Sequence, residues 1–509
     1  MRMAHSGRFW LFIFAIGFVI AGCTQTMSLL STSARKDSNL VSRAAQPGDM
    51  IVNSGVTYQT VVGFGAAAPY ITPAPWPLTP DQADFFFTEN GIGLTIIRLV
   101  LGDGTNVDGN WVSEQLAVAR GAKVFVSPLS PWANYKDNGS TINGGHLLPQ
   151  YYDAWANDLV TLVQSGPAHG VPIYALSIQN EPEISQTYNS TIMSPQEMVN
   201  FIKVLGPKLA TLNQRPLLMM PETCCEFDLS GYTNAVENDF LAFSYVDIYA
   251  THQYAGIMPP PSTAKPLWQT EMSVGGSDDI TNFDPSMANG IQTAQTIHDA
   301  IVTGGVVEWN YWLLVNDAWT QGLIGHATPT IGQHGVWTKR VFALGNYSKF
   351  VRPGFVRIDA SGGPGGVSTS AYVDPNSGNI VIVAINSNSY DVSYGAAYAG
   401  NFPSSVTPWV TSDALNLEQQ GPIDSSSGRF TTTLPASSVT TFVGGNTTVG
   451  TPPPPPSTAC TITPQAAALT NQTMPIKRST TTTTARQVAI PRACNVLLTT
   501  TTGVEPLTP

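Results

Sequence analysis

The feature that most constrains this chain is a rhythm. Eight short apolar runs rich in β-branched residues recur along it: Val61–Ala67, Thr95–Leu101, Lys123–Ser130, Ile173–Glu181, Pro216–Thr223, Asp247–Tyr254, Pro266–Met272 and Val306–Trp312. Near-continuous apolar runs suit parallel strands covered on both faces. Helix signals lie between them. Ser194-Pro195-Gln196-Glu197 has the spacing of a capping box with Pro at the first helical position. Thr79-Pro80-Asp81 ahead of Phe85-Phe86-Phe87 is similar. Eight strand–helix units over residues 61–346 predict an α/β fold, a (β/α)8 TIM barrel. A doubly wound open sheet is the alternative, but it wants a glycine-rich phosphate turn after its first strand. Gly63-Phe64-Gly65 lacks the third glycine.

After the eighth run the pattern changes to short strands with turns, as at Gly378-Asn379 before Ile380–Ala384. Residues 347–446 are therefore expected to form an all-β sandwich fused to the barrel. Residues 49–60, with Val52 and Tyr58, are positioned to add a strand to it. Pro452–Pro456 opens a stiff linker, and residues 447–509 read as a Pro/Thr-rich linker and low-complexity tail.

The N-terminus reads as a targeting segment. Arg2 and Arg8 flank the apolar run Phe9–Ile20, which is short for a membrane span. Residues 1–22 are expected to be a signal peptide and 23–48 a tether. Ile20-Ala21-Gly22-Cys23 resembles a bacterial lipobox, which implies cleavage before Cys23 and lipidation of its sulfur. Thr24, rather than Asp, points by analogy to the outer membrane. The alternative is an ordinary secretory signal. Either way the fold is expected to work outside the cytoplasm, with a lipid anchor as its contact with membrane. Cys460 and Cys494 could pair in an oxidising compartment. No C-x-x-C pair occurs, so a structural zinc site is not expected. The net charge of −11 argues against a nucleic-acid partner. Only 11% of residues are charged, against about a quarter in ordinary domains, and a surface so rich in amides, hydroxyls and aromatics suits an extracellular protein. Oligomeric state is not readable from the sequence.

Barrels collect function at the C-terminal ends of their strands. The fourth run ends in Asn180-Glu181-Pro182 and the seventh in Glu271. Two carboxylates across one barrel mouth are what glycoside hydrolysis needs: a protonated one to donate to the leaving oxygen, an ionised one to attack the anomeric carbon. As a plain turn, Asn-Glu-Pro would leave Glu181 merely solvated. Glu183, Glu222 and Glu308 are rival carboxylates. Glu183 is expected to face solvent or a distal subsite, and Glu308 to lie below the mouth.

Leu176–Glu183 and Trp268–Glu271 resemble the acid/base and nucleophile signatures of clan A retaining glycosidases. With Gly63-Phe64-Gly65, His252-Gln253-Tyr254 and Tyr347–Gly354, the chain resembles glycoside hydrolase family 30 over about residues 50–445. The resemblance implies a barrel with a fused β-sandwich, retention of configuration and no metal or other cofactor. It implies Glu181 as acid/base and Glu271 as nucleophile. Asn180 is then placed to hold the sugar 2-hydroxyl, Arg98 to keep the nucleophile ionised, and Tyr254 to hydrogen-bond it. Trp132 and Trp312 could stack on sugar faces. His252 reads as a hydrogen-bonded strand residue rather than a proton shuttle.

Ser127–Trp132 and Gly144-Gly145-His146-Leu147 look closest to the family's bacterial endo-xylanase-like branch, so a β-linked polysaccharide, endo-β-1,4-xylan first, is the expected substrate. Glucuronoxylan-specific members carry an arginine after the eighth strand. Here no Arg or Lys follows before Lys339, which argues against glucuronate dependence. An endo-β-1,6-galactanase or glucanase, or a glucosylceramidase-like exo-glycosidase, is the alternative. A non-catalytic surface glycan-binding lipoprotein is the alternative of another class.

Overall fold

The computed structural model of the protein describes residues 45–69, 77–107, 111–275, 283–316, 321–325, 335–400 and 402–445. The expectations for the signal segment, Cys23, most of the tether, the tail and the Cys460–Cys494 pair fall outside those residues.

The first strand, β1 (Met50–Thr60), precedes the barrel. Each of the eight apolar runs matches one barrel strand, the last passing its run by one residue: β2 (Gly63–Ala67), β3 (Ile96–Leu101), β4 (Lys123–Pro128), β5 (Ile173–Ser177), β6 (Leu217–Thr223), β7 (Ile248–His252), β8 (Leu267–Glu271) and β9 (Glu308–Leu313). They pair in sequence order, all parallel, and β9 closes on β2. The α-helices are α1 (Pro80–Phe87), α2 (Val112–Val118), α3 (Tyr152–Ser165), α4 (Pro195–Ala210), α5 (Glu226–Glu237), α6 (Phe240–Tyr245), α7 (Met287–Val302) and α8 (Lys339–Ser348). The capping boxes exist at Thr79 with Gln82 and at Ser194 with Glu197. Each satisfies two orphan amides, and such a cap contributes about 1 kcal/mol.

Strand alternation sorts the barrel's side chains. Ile97, Leu99, Val124 and Val126 belong to the large core shared with the helices. Ile96, Phe125, Ala175, Met219, Ile248 and Trp268 form a separate cluster within the barrel. They sit early in their strands, so they plug the N-terminal half and leave the C-terminal half for polar groups. Gly65 shows how tight this is: a Cβ there would strike Asn310 Oδ1 and approach the Ile96 carbonyl oxygen to 2.6 Å.

Beyond the barrel come three short strands, β10 (Val315–Asn316), β11 (Ile324–Gly325) and β12 (Val336–Trp337). The sandwich uses β13 (Val356–Gly362), β14 (Val367–Val373), β15 (Ile380–Asn386), β16 (Val392–Ala399), β17 (Ser405–Thr411), β18 (Glu418–Gln419), β19 (Ile423–Asp424), β20 (Arg429–Leu434) and β21 (Ser438–Gly444). With β1 they make a ten-stranded hydrogen-bonded ladder in the order β18-β17-β21-β15-β14-β13-β1-β16-β20, with β19 pairing β17. β1 runs antiparallel to β13 and parallel to β16. β15 is buried on both faces. Ile380, Ile382 and Ala384 enter the sandwich core with Tyr394, Phe430 and Phe442, while Val381, Val383 and Ile385 join the core that continues into the barrel. The junction is also polar: Asn346 on α8 donates to the Trp409 carbonyl at 3.1 Å, and Thr441 Oγ1 donates to the Asn346 carbonyl at 2.6 Å. These shared contacts tie the two units to one another.

Candidate active site

Side chains from seven strands or their ends, β3 to β9, converge at the barrel's C-terminal mouth. Arg98 from β3 is fully buried and is the hub. Its guanidinium makes an ion pair with Glu271 Oε2. It also lies 2.9 Å from Glu222 Oε1, donates at 2.5 Å to Asn180 Oδ1, and donates at 3.0 Å to Ser127 Oγ. Its planar fork suits this, because several donors must be aimed at fixed oxygens. Trp312 packs beside it, with the guanidinium carbon 5.6 Å from a ring centroid.

Glu181 and Glu271 are each only 7% exposed, enclosed yet reachable from the mouth. One oxygen of each, with a nitrogen of His252, lies within a 4.8 Å set of mutual distances. Retaining glycosidases hold their carboxyl groups roughly 5–5.5 Å apart, and inverting ones about 6.5–9.5 Å to leave room for a water. Carboxylate oxygens this close fit the first arrangement. The same three residues could offer ligands to a cation, but Glu271 Oε2 already pairs with Arg98 and Glu181 Oε1 already faces His252 Nδ1 at 3.1 Å. The donor set suits a sugar and a proton.

The backbone explains how Glu181 gets there. β5 ends at Ser177, earlier than the run Ile173–Glu181 implied. From there successive amides cross to both neighbouring strands: Ile178 N donates to the Met219 carbonyl, Asn180 N to that of Pro128, and Glu181 N to that of Glu222 at 2.9 Å. Glu181 and Glu222 have φ of 45° and 66°. Non-glycine residues there carry a steric cost, which persists where surroundings over-determine the backbone, as at active sites. The abrupt end of the apolar run in Asn-Glu-Pro is thus a turn and a site residue at once.

Tyr254 Oη donates to Glu271 Oε1 at 2.8 Å while its ring reaches the rim, 40% exposed. His252 Nδ1 is 3.1 Å from Glu181 Oε1. Tyr188 Oη donates to Glu181 Oε2 at 3.3 Å. Burial pushes the Glu181 carboxyl up, but His252, Arg98 and the Tyr188 hydroxyl more than offset this, and it sits below its usual range. Burial likewise pushes Glu222 up, yet Arg98 and His252 bring it down to about 2. Glu308 lies buried in the barrel, where loss of water raises its carboxyl well above the usual range and Asn310 supplies a hydrogen bond.

Of the residues singled out from sequence, Arg98, Asn180, Glu181, Tyr254, Glu271 and Trp312 meet in this cluster. Trp132 is half-buried. Its indole packs on Gly104, where a Cβ would strike the ring, and donates to Asp158 Oδ2 at 3.1 Å; these contacts do not run to the glutamates. Glu183 does not face solvent. It is half-buried, accepts from Cys224 N at 2.6 Å, and is raised to about 7 by burial. The turn that carries Glu181 folds it inward against the end of β6. Glu222 and Tyr188 were not singled out for the site. Glu222 carried a usable signal, since it stands at a strand end as Glu271 does. Tyr188 lies in a loop with no pattern to mark it.

Residues 103–318 match the glycosyl hydrolase family 30 TIM-barrel domain, and residues 354–442 match the family's β-sandwich domain. The chain is 32% identical over 415 residues to glucuronoxylanase XynC of Bacillus subtilis, covering 77% of this chain and 90% of that protein. The glycoside hydrolase family 30 subfamily 8 xylanase of Clostridium acetobutylicum superposes with a TM-score of 0.68 at 30% identity, covering 78% of this chain and 99% of that one. A family 30 endoxylanase of Clostridium papyrosolvens superposes with a TM-score of 0.65 at 31% identity, over 78% and 99% of the two chains.

Proposed function

The chain belongs to glycoside hydrolase family 30, and from that premise we propose that it cleaves the β-1,4-linked backbone of xylan by double displacement, with Glu271 as nucleophile and Glu181 as acid/base. The observation that carries this is the short span between the two carboxylates at one barrel mouth. In the first step Glu271 Oε bonds to the anomeric carbon, the glycosidic C–O bond breaks, and the Glu181 proton goes to the leaving oxygen. In the second, Glu181 takes a proton from water, and that water displaces the glycosyl ester with net retention. Bound sugar covers Glu181 and removes its remaining water, which raises its carboxyl towards the protonated form that the first step needs. Asn180 has Oδ1 committed to Arg98, so its Nδ2 is the group able to donate to the 2-hydroxyl. Trp312 and Trp132 are proposed sugar platforms.

The similar B. subtilis protein is a glucuronoxylanase. In this chain residues 266–338, which include the segments following β8 and β9, contain neither Arg nor Lys. A glucuronate carboxylate would find no bidentate partner in them. The proposed substrate is therefore xylan without a requirement for glucuronate. Product analysis on unsubstituted xylan and on glucuronoxylan tests it. Cleavage of both, with products not spaced by glucuronate, is expected. Cleavage of glucuronoxylan alone would overturn it. We further propose lipidation of Cys23 and an outer-membrane location. Mass spectrometry of the mature N-terminus tests this, and a mature chain lacking an acylated Cys23 contradicts it.

A further inference from the structure

We infer that His252 is a permanently charged imidazolium that serves as the fixed counter-ion of both proposed catalytic carboxylates, a positioning residue around which negative charge moves from one to the other. The inference rests on the reading of Glu181 and Glu271 given above.

The geometry is that of a cation in a ring of acceptors. His252 ends β7, is fully buried, and lies between Glu222 and Glu271 on the two neighbouring strands, with Glu181 from the end of β5 against its Nδ1. Nδ1 is 3.1 Å from Glu181 Oε1. Nε2 faces Glu222 Oε1 at 3.8 Å and Glu271 Oε2 at 3.9 Å, and makes no hydrogen bond among the described residues. A neutral imidazole has one donor and one acceptor nitrogen. In the free protein, where Glu181 is held below its usual range, that acceptor would point at carboxylates that offer no proton. Only the doubly protonated ring suits both sides. The other groups around it are Arg98, the Tyr254 ring edge-on at 6.1 Å, and the more distant Glu183. Burial alone pushes His252 down, but Glu271, Glu181 and Glu222 outweigh it and raise it to about 10.

The charge count then explains the choice of residues. Two cations, Arg98 and His252, face three carboxyls. With one proton on Glu181 the cluster is neutral. When Glu271 becomes an ester and Glu181 delivers its proton, one negative charge vanishes at Glu271 and one appears at Glu181, and the cluster is neutral again. His252 contacts Glu181 directly and faces Glu271, so no cation has to move during the step. This is preorganised electrostatics in a water-poor site.

The test is 15N NMR of the full chain labelled at histidine, with the His252 signals identified by their loss in His252→Asn. Both ring nitrogens are expected to stay protonated from pH 5 to 8.5. A neutral tautomer anywhere in that range overturns the inference. Should the variant not fold, the wild-type spectrum decides alone, since one of the seven histidines must remain doubly protonated at pH 8.5. This readout needs no turnover, so inactivity on every xylan would sink the proposed function without touching it. In the folded variant, Asn keeps a donor towards Glu181 but removes the charge. The alkaline limb of the kcat/KM profile should move up by about one pH unit, because losing a nearby cation disfavours the Glu181 carboxylate. A slower enzyme with an unmoved alkaline limb would mean that His252 is only packing.

Discussion

The amide of Glu181 donates to the carbonyl of Glu222 at 2.9 Å, and both residues hold left-handed backbone conformations. The two strand ends therefore set each other's geometry, and Glu222 presents its carboxylate to Arg98 from the far side. Glu222 is a structural anion for the site rather than a rival to Glu271.

That role predicts a stability effect. Glu222→Gln leaves a buried guanidinium with one partner fewer, and breaking such pairs costs about 3–5 kcal/mol. The Glu222 carboxyl is at about 2 in the fold, against roughly 4.3 unfolded. Its contribution is thus present above about pH 4.3 and is lost as pH falls towards 2. Urea denaturation at several pH values should show the wild type losing its advantage over Glu222→Gln across that window. Equal stability at pH 7 would contradict the assignment.

For Glu181, removal of the acid should depend on the leaving group. Glu181→Ala is expected to slow xylan cleavage by about 10²–10⁴ and to spare the first step on aryl glycosides whose leaving groups need no proton. The ratio kcat/KM on both substrates measures it, because that ratio reports the first step and not the later hydrolysis of the ester, which also needs Glu181. Equal losses would deny the acid role.

The pH profile carries a further signature. Glu181 lies below its usual range in the free protein and is raised when sugar displaces water. Since kcat/KM reports the free enzyme and kcat the complex, the alkaline limb of kcat/KM should fall at lower pH than that of kcat. Coincident limbs, or the reverse order, would count against it.

Tyr254 donates to the proposed nucleophile. A hydrogen bond to a charged group contributes about 1.5–3 kcal/mol, so Tyr254→Phe should lower kcat roughly tenfold or more. An unchanged kcat would make the tyrosine a rim residue only.

The barrel was legible because eight apolar runs can be buried on both faces in few other ways, and the sandwich because its runs shorten and lose their helices. Glu181 and Glu271 were legible because both follow such runs to the mouth. The inward turn of Glu183 away from solvent was illegible because the turn after Glu181 depends on amide bonds to Pro128 and Glu222, distant in sequence. The state of His252 was illegible for the same reason. Its own run marks it as a strand residue, and only the three carboxylates assembled around it give it a charge.

The most direct test of the account is covalent trapping. A 2-deoxy-2-fluoro xylobioside with an activated leaving group forms the glycosyl–enzyme ester but hydrolyses it slowly, because fluorine disfavours the oxocarbenium-like transition state of the second step. Mass spectrometry of the digested protein should place the sugar on Glu271. A sugar on any other carboxylate, or an equally labelled Glu271→Gln variant, would contradict it.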